Sequence, residues 1–134
     1  MKIVRFFDTP EGGSRFEDVE IPFPQPYTDE FGNTYHLTKP FAAPSAVIAD
    51  MPHGLDQDWH VAPNRQLVFV LSGLLEVETT DGEKRRWSAG GMFMADDPRG
   101  KGHQTRVIEG PAKLLFLRVP EDFRLTDWIA PEEP

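Results

Sequence analysis

The sequence predicts an all-β chain folded as a sandwich or barrel, on three observations. Thirteen prolines and eleven glycines interrupt it so often that only residues 64–97 run far without a proline, which leaves little room for long helices. Between the breaks lie short segments rich in Val, Ile, Phe, Leu and Thr, of strand length and strand composition. Asp81-Gly82 falls between two such segments, where both residues tolerate the positive φ of a tight primed turn. Short strands at regular intervals pack as sandwiches or closed barrels.

In chain order, residues 2–7 and 15–23 are the first strands. The Pro-rich stretch 21–26 and residues 29–44 hold too few apolar residues for a core of their own and read as a covering arm and loops. A strand follows at 45–49, then two at 66–71 and 74–79, the second joined across Asp81-Gly82 to 84–87. A helix is the rival over 66–79, because Leu67, Leu71, Leu74 and Leu75 fit a helical stripe capped by Asn64. The β-branched Val68, Val70, Val77, Thr79 and Thr80, with Gly73 among them, favour the strand. Strands at 92–95, 103–108 and 113–119 complete the set. Residues 121–129 predict one short helical turn carrying Phe123 and Trp128, ahead of an acidic tail that frays.

The 134 residues suit one domain, and 39% hydrophobic with 27% charged side chains is too apolar a mixture for disorder. No apolar run nears the roughly 20 residues of a membrane helix. The opening Met1-Lys2-Ile3-Val4-Arg5-Phe6-Phe7-Asp8 lacks a signal-peptide core, so the expected protein is soluble and cytoplasmic, with no membrane partner. Zero cysteines exclude disulfides, thiolate metal sites and Cys nucleophiles, so any metal must sit on His, carboxylate or amide ligands. A net charge of −8 repels phosphate backbones, and nucleic acid is not an expected partner. Lys84-Arg85-Arg86, beside Asp81-Gly82-Glu83, reads as the solvated arm of a hairpin.

Four histidines remain to be weighed: His36, His53, His60 and His103. His60 ends the extended run from Asp58, and His103 opens a strand after Pro98-Arg99-Gly100-Lys101-Gly102, so both stand at loop-to-strand junctions that present side chains to a cavity. His36 lies in a polar loop, and His53, in Pro52-His53-Gly54, reaches inward only if that turn covers the barrel mouth.

These residues resemble the cupin superfamily. Its first motif runs His-x-His, three or four residues, Glu, six residues, Gly; here His60, Ala62, Gln66 and Gly73 stand at those positions. Its second runs Gly, five residues, Pro-x-Gly, two residues, His, three residues, Asn; Pro98, Gly100 and His103 keep the spacing, Gly91 is one residue too far upstream and Val107 replaces the Asn. Trp59-His60-x-Ala62-Pro63-x-Arg65-Gln66 with Gly100-Lys101-Gly102-His103 is also similar to a small bacterial group of RmlC-like, cupin 2 type proteins without an assigned activity. The resemblance covers residues 45–120, with 1–44 as N-terminal strands and covering loops.

The resemblance implies a double-stranded β-helix, the cupin jelly-roll barrel, holding a small-molecule ligand. For metal-dependent members it implies one divalent metal ion on three imidazoles and a carboxylate. This chain keeps two imidazoles and offers the neutral amide of Gln66, so the metal set expected here is His60, Gln66 and His103, with weakened affinity. Asp58, which shares a strand face with His60, and Asp97 are the candidates to complete it, with Asp96 a further one. Without metal, His60 and His103 are the candidate catalytic groups, since an ordinary imidazole, with a pKa of about 6.5, moves protons near neutral pH. The pocket expected around them is lined by Gln66, Val68, Met94 and Thr105, with Val70, Met92 and Val107 adding to its walls, and Arg65, Arg99 and Lys101 offer charge for an anionic group at its rim. The functional expectation is a cupin that binds, and in the enzyme reading transforms, a small organic molecule; the alternative is a non-catalytic binding or sensing module without metal. The resemblance also implies a homodimer, for which residues 3–7 and the stretch around Phe123 and Trp128 are the natural surfaces.

Overall fold

The computed structural model describes residues 1–124, and every regular element among them is a strand. The elements are β1 (Lys2–Asp8), β2 (Ser14–Glu20), β3 (Gln25–Thr28), β4 (Thr34–Leu37), β5 (Ser45–Met51), β6 (Asp56–His60), β7 (Gln66–Glu78), β8 (Lys84–Trp87), β9 (Met92–Asp96) and β10 (His103–Arg118). No described helix is long and apolar enough to cross a membrane. The helical turn expected from residue 121 is not found in its described part, where Phe123 N–H closes a turn on the Pro120 carbonyl at 3.0 Å. The rest of that stretch, with Trp128, lies outside the described residues.

Two long strands organise the fold. β7 and β10 pair antiparallel from Gln66↔Arg118 to Glu78↔Gln104. Towards one end β9 flanks β7 and β5 flanks β10, giving the order β2-β1-β9-β7-β10-β5; towards the other, β8 pairs β7 and β6 pairs β10. Phe6, Val68, Phe93, Ala95 and Leu114 of the first half meet Leu75, Val77, Trp87 and Val107 of the second in one apolar core. Two layers that share two long strands around one interior make a cupin-type jelly roll, the fold class expected.

The first half is apolar on its other face as well. Ile3, Val19, Leu67 and Met94 bury there with Ile21 and Val119, and Phe41 and Phe123 pack against them. Ile3 and Phe6 lie on opposite faces of β1, both buried in the chain's own core, which leaves Val4 and Phe7 as the partly exposed apolar side chains of residues 3–7.

Three segments differ from expectation. Residues 66–71 and 74–79 form one strand through Gly73, and 103–108 and 113–119 form another, whose register shifts between Val107 and Leu114 absorb Gly110-Pro111. Residues 25–37, read as loops, make the exposed hairpin β3–β4. Its turn is closed by the Asp29 carboxylate, which accepts the Phe31 and Asn33 amides at 2.9 Å each, and Tyr27 packs on Tyr35. The basic run ahead of β9 is paired: Arg85 bonds Asp18 and Glu83, and Arg86 bonds Glu76.

Candidate functional site: a cavity with two histidines

The site forms where β6 ends and β10 begins. His103 pairs with His60 across the two strands, and their rings lie 4.4 Å apart between centroids. Gly102 permits this approach. Its φ is +79°, and a Cβ built there falls 1.9 Å from the His60 carbonyl oxygen, so no other residue fits without driving the strands apart. The loop before it is clipped to the β1–β2 turn, because Lys101 N–H donates to the Gly12 carbonyl at 2.9 Å and the buried Ser14 hydroxyl donates to the Gly102 carbonyl at 2.6 Å.

Hydrogen bonds fix both imidazoles. His60 Nδ1 is 2.7 Å from the Asp58 carbonyl oxygen; a carbonyl only accepts, so Nδ1 carries the hydrogen. His103 Nδ1 lies 2.5 Å from Oδ2 of Asp97, a fully buried carboxyl, and donates to it. In each neutral ring the lone pair is then on Nε2, which has no hydrogen-bond partner among the described residues. Burial pushes the Asp97 carboxyl above its ordinary value against the opposing pull of His103, and its buried Oδ1 has no hydrogen-bond partner among the described residues. The His103 ring packs 4.6 Å from Phe6.

The two rings border a cavity of about 190 Å³. That is about six times the roughly 30 Å³ share of a liquid water molecule, and below the roughly 300–1,000 Å³ of pockets for drug-sized ligands. Its polar side chains are His60, His103, Gln57, Gln66 and Thr105; the rest of the wall is chiefly apolar, from Phe6, Met51, Val68, Leu75, Val77, Phe93, Ala95, Leu114 and Phe116.

Of the expected pocket residues, His60, Gln66, Val68, His103 and Thr105 meet at this cavity and Met94 does not. Met94 is fully buried on the opposite face of β9, in the second apolar cluster, so Phe93 and Ala95 supply that wall. Val70, Met92 and Val107 do not line the cavity either. Asp58, expected to turn inward, is exposed and accepts from Gln104 at 2.9 Å. Asp97 stands behind His103, and Asp96 is held by Arg5 at 2.8 Å and by Arg65 at 2.6 Å. His53 accepts from the Gly110 amide at 3.2 Å, and His36 is exposed on β4. Of the expected rim cations, Arg65 is engaged with Asp96 and Lys101 lies over the Trp59 ring at 4.5 Å.

As a divalent-metal site the donor set does not fit. Among the described residues no carboxylate lines the cavity, Ala62 is packed in the core at the third-imidazole position, and no three His, Asp or Glu side chains are placed to share an ion. Asp97, expected as a candidate completing ligand, instead hydrogen-bonds His103 from behind and does not line the cavity. The signal was its place six residues before His103, on the far side of the same turn.

Fold and site together define an all-β jelly roll of cupin type with two imidazoles on its cavity. No protein-family model and no curated protein matches the chain. Among solved structures it is similar to a conserved protein of unknown function from Streptococcus pyogenes, at 26% identity and a TM-score of 0.45 over 57% of this chain and 64% of that one, which is under two thirds of that protein's length. It is similar to an RmlC-like cupin from Shewanella frigidimarina NCIMB 400, at 19% identity and a TM-score of 0.44 over 57% of this chain and 67% of that one. It is also similar to the cupin domain of Schizosaccharomyces pombe Cnp3, at 20% identity and a TM-score of 0.44 over 80% of this chain and 73% of that one. Activity is argued from the site itself.

Proposed function

We propose that the cavity binds a small organic molecule and that His103, oriented by Asp97, moves a proton on it without a metal ion. The observation that carries this reading is a buried Asp97–His103 hydrogen bond behind a ring whose other nitrogen has no partner among the described residues and borders a mainly apolar cavity. The carboxyl fixes the tautomer and leaves the Nε2 lone pair to accept a proton from a carbon or hydroxyl of the ligand. The imidazolium that forms is stabilised by the same carboxylate, and it returns the proton either to a neighbouring carbon of the ligand, which completes an isomerisation, or to the group whose bond to the ligand breaks as the double bond forms, which completes an elimination. The low dielectric of the apolar wall strengthens both interactions. His60 supplies the second imidazole, and the Gln66 amide offers a neutral donor to an oxygen that gains charge.

The test is a screen of small acids and sugars scored separately for consumption and for thermal stabilisation, on wild type and His103→Ala. Positioned acid–base groups contribute about 10²–10⁴-fold, so a compound consumed by wild type should lose that much rate in the variant. Stabilisation without consumption favours the non-catalytic binding module. A compound consumed equally by both proteins removes His103 from the chemistry.

A further inference from the structure

Arg118 breaks a rule that the other arginines of β1, β8 and β10 obey. Arg5, Arg85, Arg86 and Arg106 each hold a carboxylate. Arg118 is partly buried at the end of β10, in a chain of net charge −8, and has no hydrogen bond or ion pair among the described residues. Burying part of a guanidinium without a partner is unfavourable, and charged side chains are seldom found so unless something pairs with them.

Its position says what that partner is. Leu114, Phe116 and Arg118 share one face of β10 by the two-residue period, and the first two line the cavity. Arg118 is the next step outward, directly across from Gln66, itself on the cavity wall. Gln66 and Phe116 border both the cavity and a shallow depression that also holds Arg118 and Asn64. Asn64 and Arg118 in turn border a groove of about 370 Å³ that contains Arg99. Arg99 is likewise without a partner among the described residues, and Glu121 is the one carboxylate on the described wall of that groove. The path therefore runs from an apolar interior to the Arg118 guanidinium at its mouth.

We propose that Arg118 binds the carboxylate of the cavity's ligand, which makes the substrate class a small organic acid with an apolar body. This rests on the reading of the cavity as a small-molecule site. The planar guanidinium fork matches a carboxylate with two parallel N–H···O bonds, and Asn64 adds a neutral donor beside it. With the acid group held at the mouth, the apolar body extends past Phe116 and Gln66 towards the two imidazoles.

The experiment is calorimetric titration of wild type and Arg118→Gln with butyrate, hexanoate and benzoate, each against its amide, and with phenyl phosphate. Wild type should prefer an acid to its amide by about tenfold, which corresponds to about 1.4 kcal/mol, and the variant should bind both alike. Loss of binding to acids and amides together in the variant, with an unchanged circular dichroism spectrum, would make Arg118 part of the wall and overturn the proposal. Equal binding of acid and amide by wild type, or an acid preference that survives in the variant, overturns it while leaving the cavity reading intact. Phenyl phosphate binding tighter than every acid, with the same dependence on Arg118, replaces carboxylate by phosphate. Binding of none of these probes overturns the cavity reading and this proposal with it.

Discussion

Replacing Gly102 with alanine should damage fold and site together, and the structure allows the size to be worked out. The added Cβ falls 1.9 Å from the His60 carbonyl oxygen, whereas real Cβ contacts stay above 3.0 Å, so the two backbones must separate by at least the difference, 1.1 Å. The left-handed backbone conformation costs an alanine about 1–2 kcal/mol. Forcing a packed contact apart adds about 1–3 kcal/mol, for a total of about 2–5. Against the roughly 5–15 kcal/mol of a typical domain this is a large loss. Gly82 is the control, with φ +86° and nothing within 4 Å of its built Cβ, so Gly82→Ala should show the conformational cost alone. Urea unfolding of the two variants measures the difference. A displacement of about 1 Å at a reacting group can cost on the order of 10²-fold, so Gly102→Ala should also lose ligand consumption beyond its loss of stability. The reasoning fails if Gly102→Ala is no more destabilising than Gly82→Ala.

Four further outcomes are expected. The Asp97 carboxyl titrates higher in the folded chain than its ordinary 3.8, so the folded state holds the extra proton, and wild type should lose stability relative to Asp97→Asn as pH rises from that value through the raised one. Unfolding free energies across a pH series check the sign. Burial alone would raise Glu76, but hydrogen bonds and charge from Arg86 and Arg106 outweigh it and hold the carboxyl below its ordinary 4.5. The advantage of wild type over Glu76→Gln, about 1–2 kcal/mol after allowing for the exposure of Arg86, should be full above that value and vanish as pH falls through the lowered one. Met94→Ala should cost about 2–5 kcal/mol in denaturant unfolding and leave ligand titrations unchanged, because its side chain packs away from the cavity. Elemental analysis of protein purified without tag or chelator should find no more metal in wild type than in His60→Ala and His103→Ala.

The fold was legible because the strands are short, β-branched and separated by proline and glycine, and Asp81-Gly82 marks the place of its hairpin, although the connection is a wider loop closed by Thr79 and Glu83 in which Gly82 alone of the pair takes a positive φ. The merging of 66–71 with 74–79 was not, since Gly73 reads as a break and only pairing to β10 across it makes the strand continuous. His60 and His103 could be placed at one cavity from motif spacing, because each sits at the junction of a loop with a strand. The wall at β9 could not. Met92-Phe93-Met94-Ala95 is apolar at every position, and a strand covered on both faces gives no alternation from which to read its inward side. Phe6 reaches the cavity from the far N-terminus through the parallel pairing of β1 with β9, a tertiary fact without a local signature. Asp97 looked like a ligand because a carboxylate near a histidine suits a metal centre and a proton relay equally; only the direction of its side chain separates the two.

Long-range ¹H–¹⁵N NMR of the four imidazoles tests the central claim most directly, in the free protein and with the tightest-binding acid or amide added. The neutral rings of His60 and His103 should carry hydrogen on Nδ1 and a bare Nε2, and both Nε2 resonances should move together on binding while those of His36 and His53 stay still. Hydrogen on Nε2 of His103, or shifts confined to His36 and His53, would contradict the account.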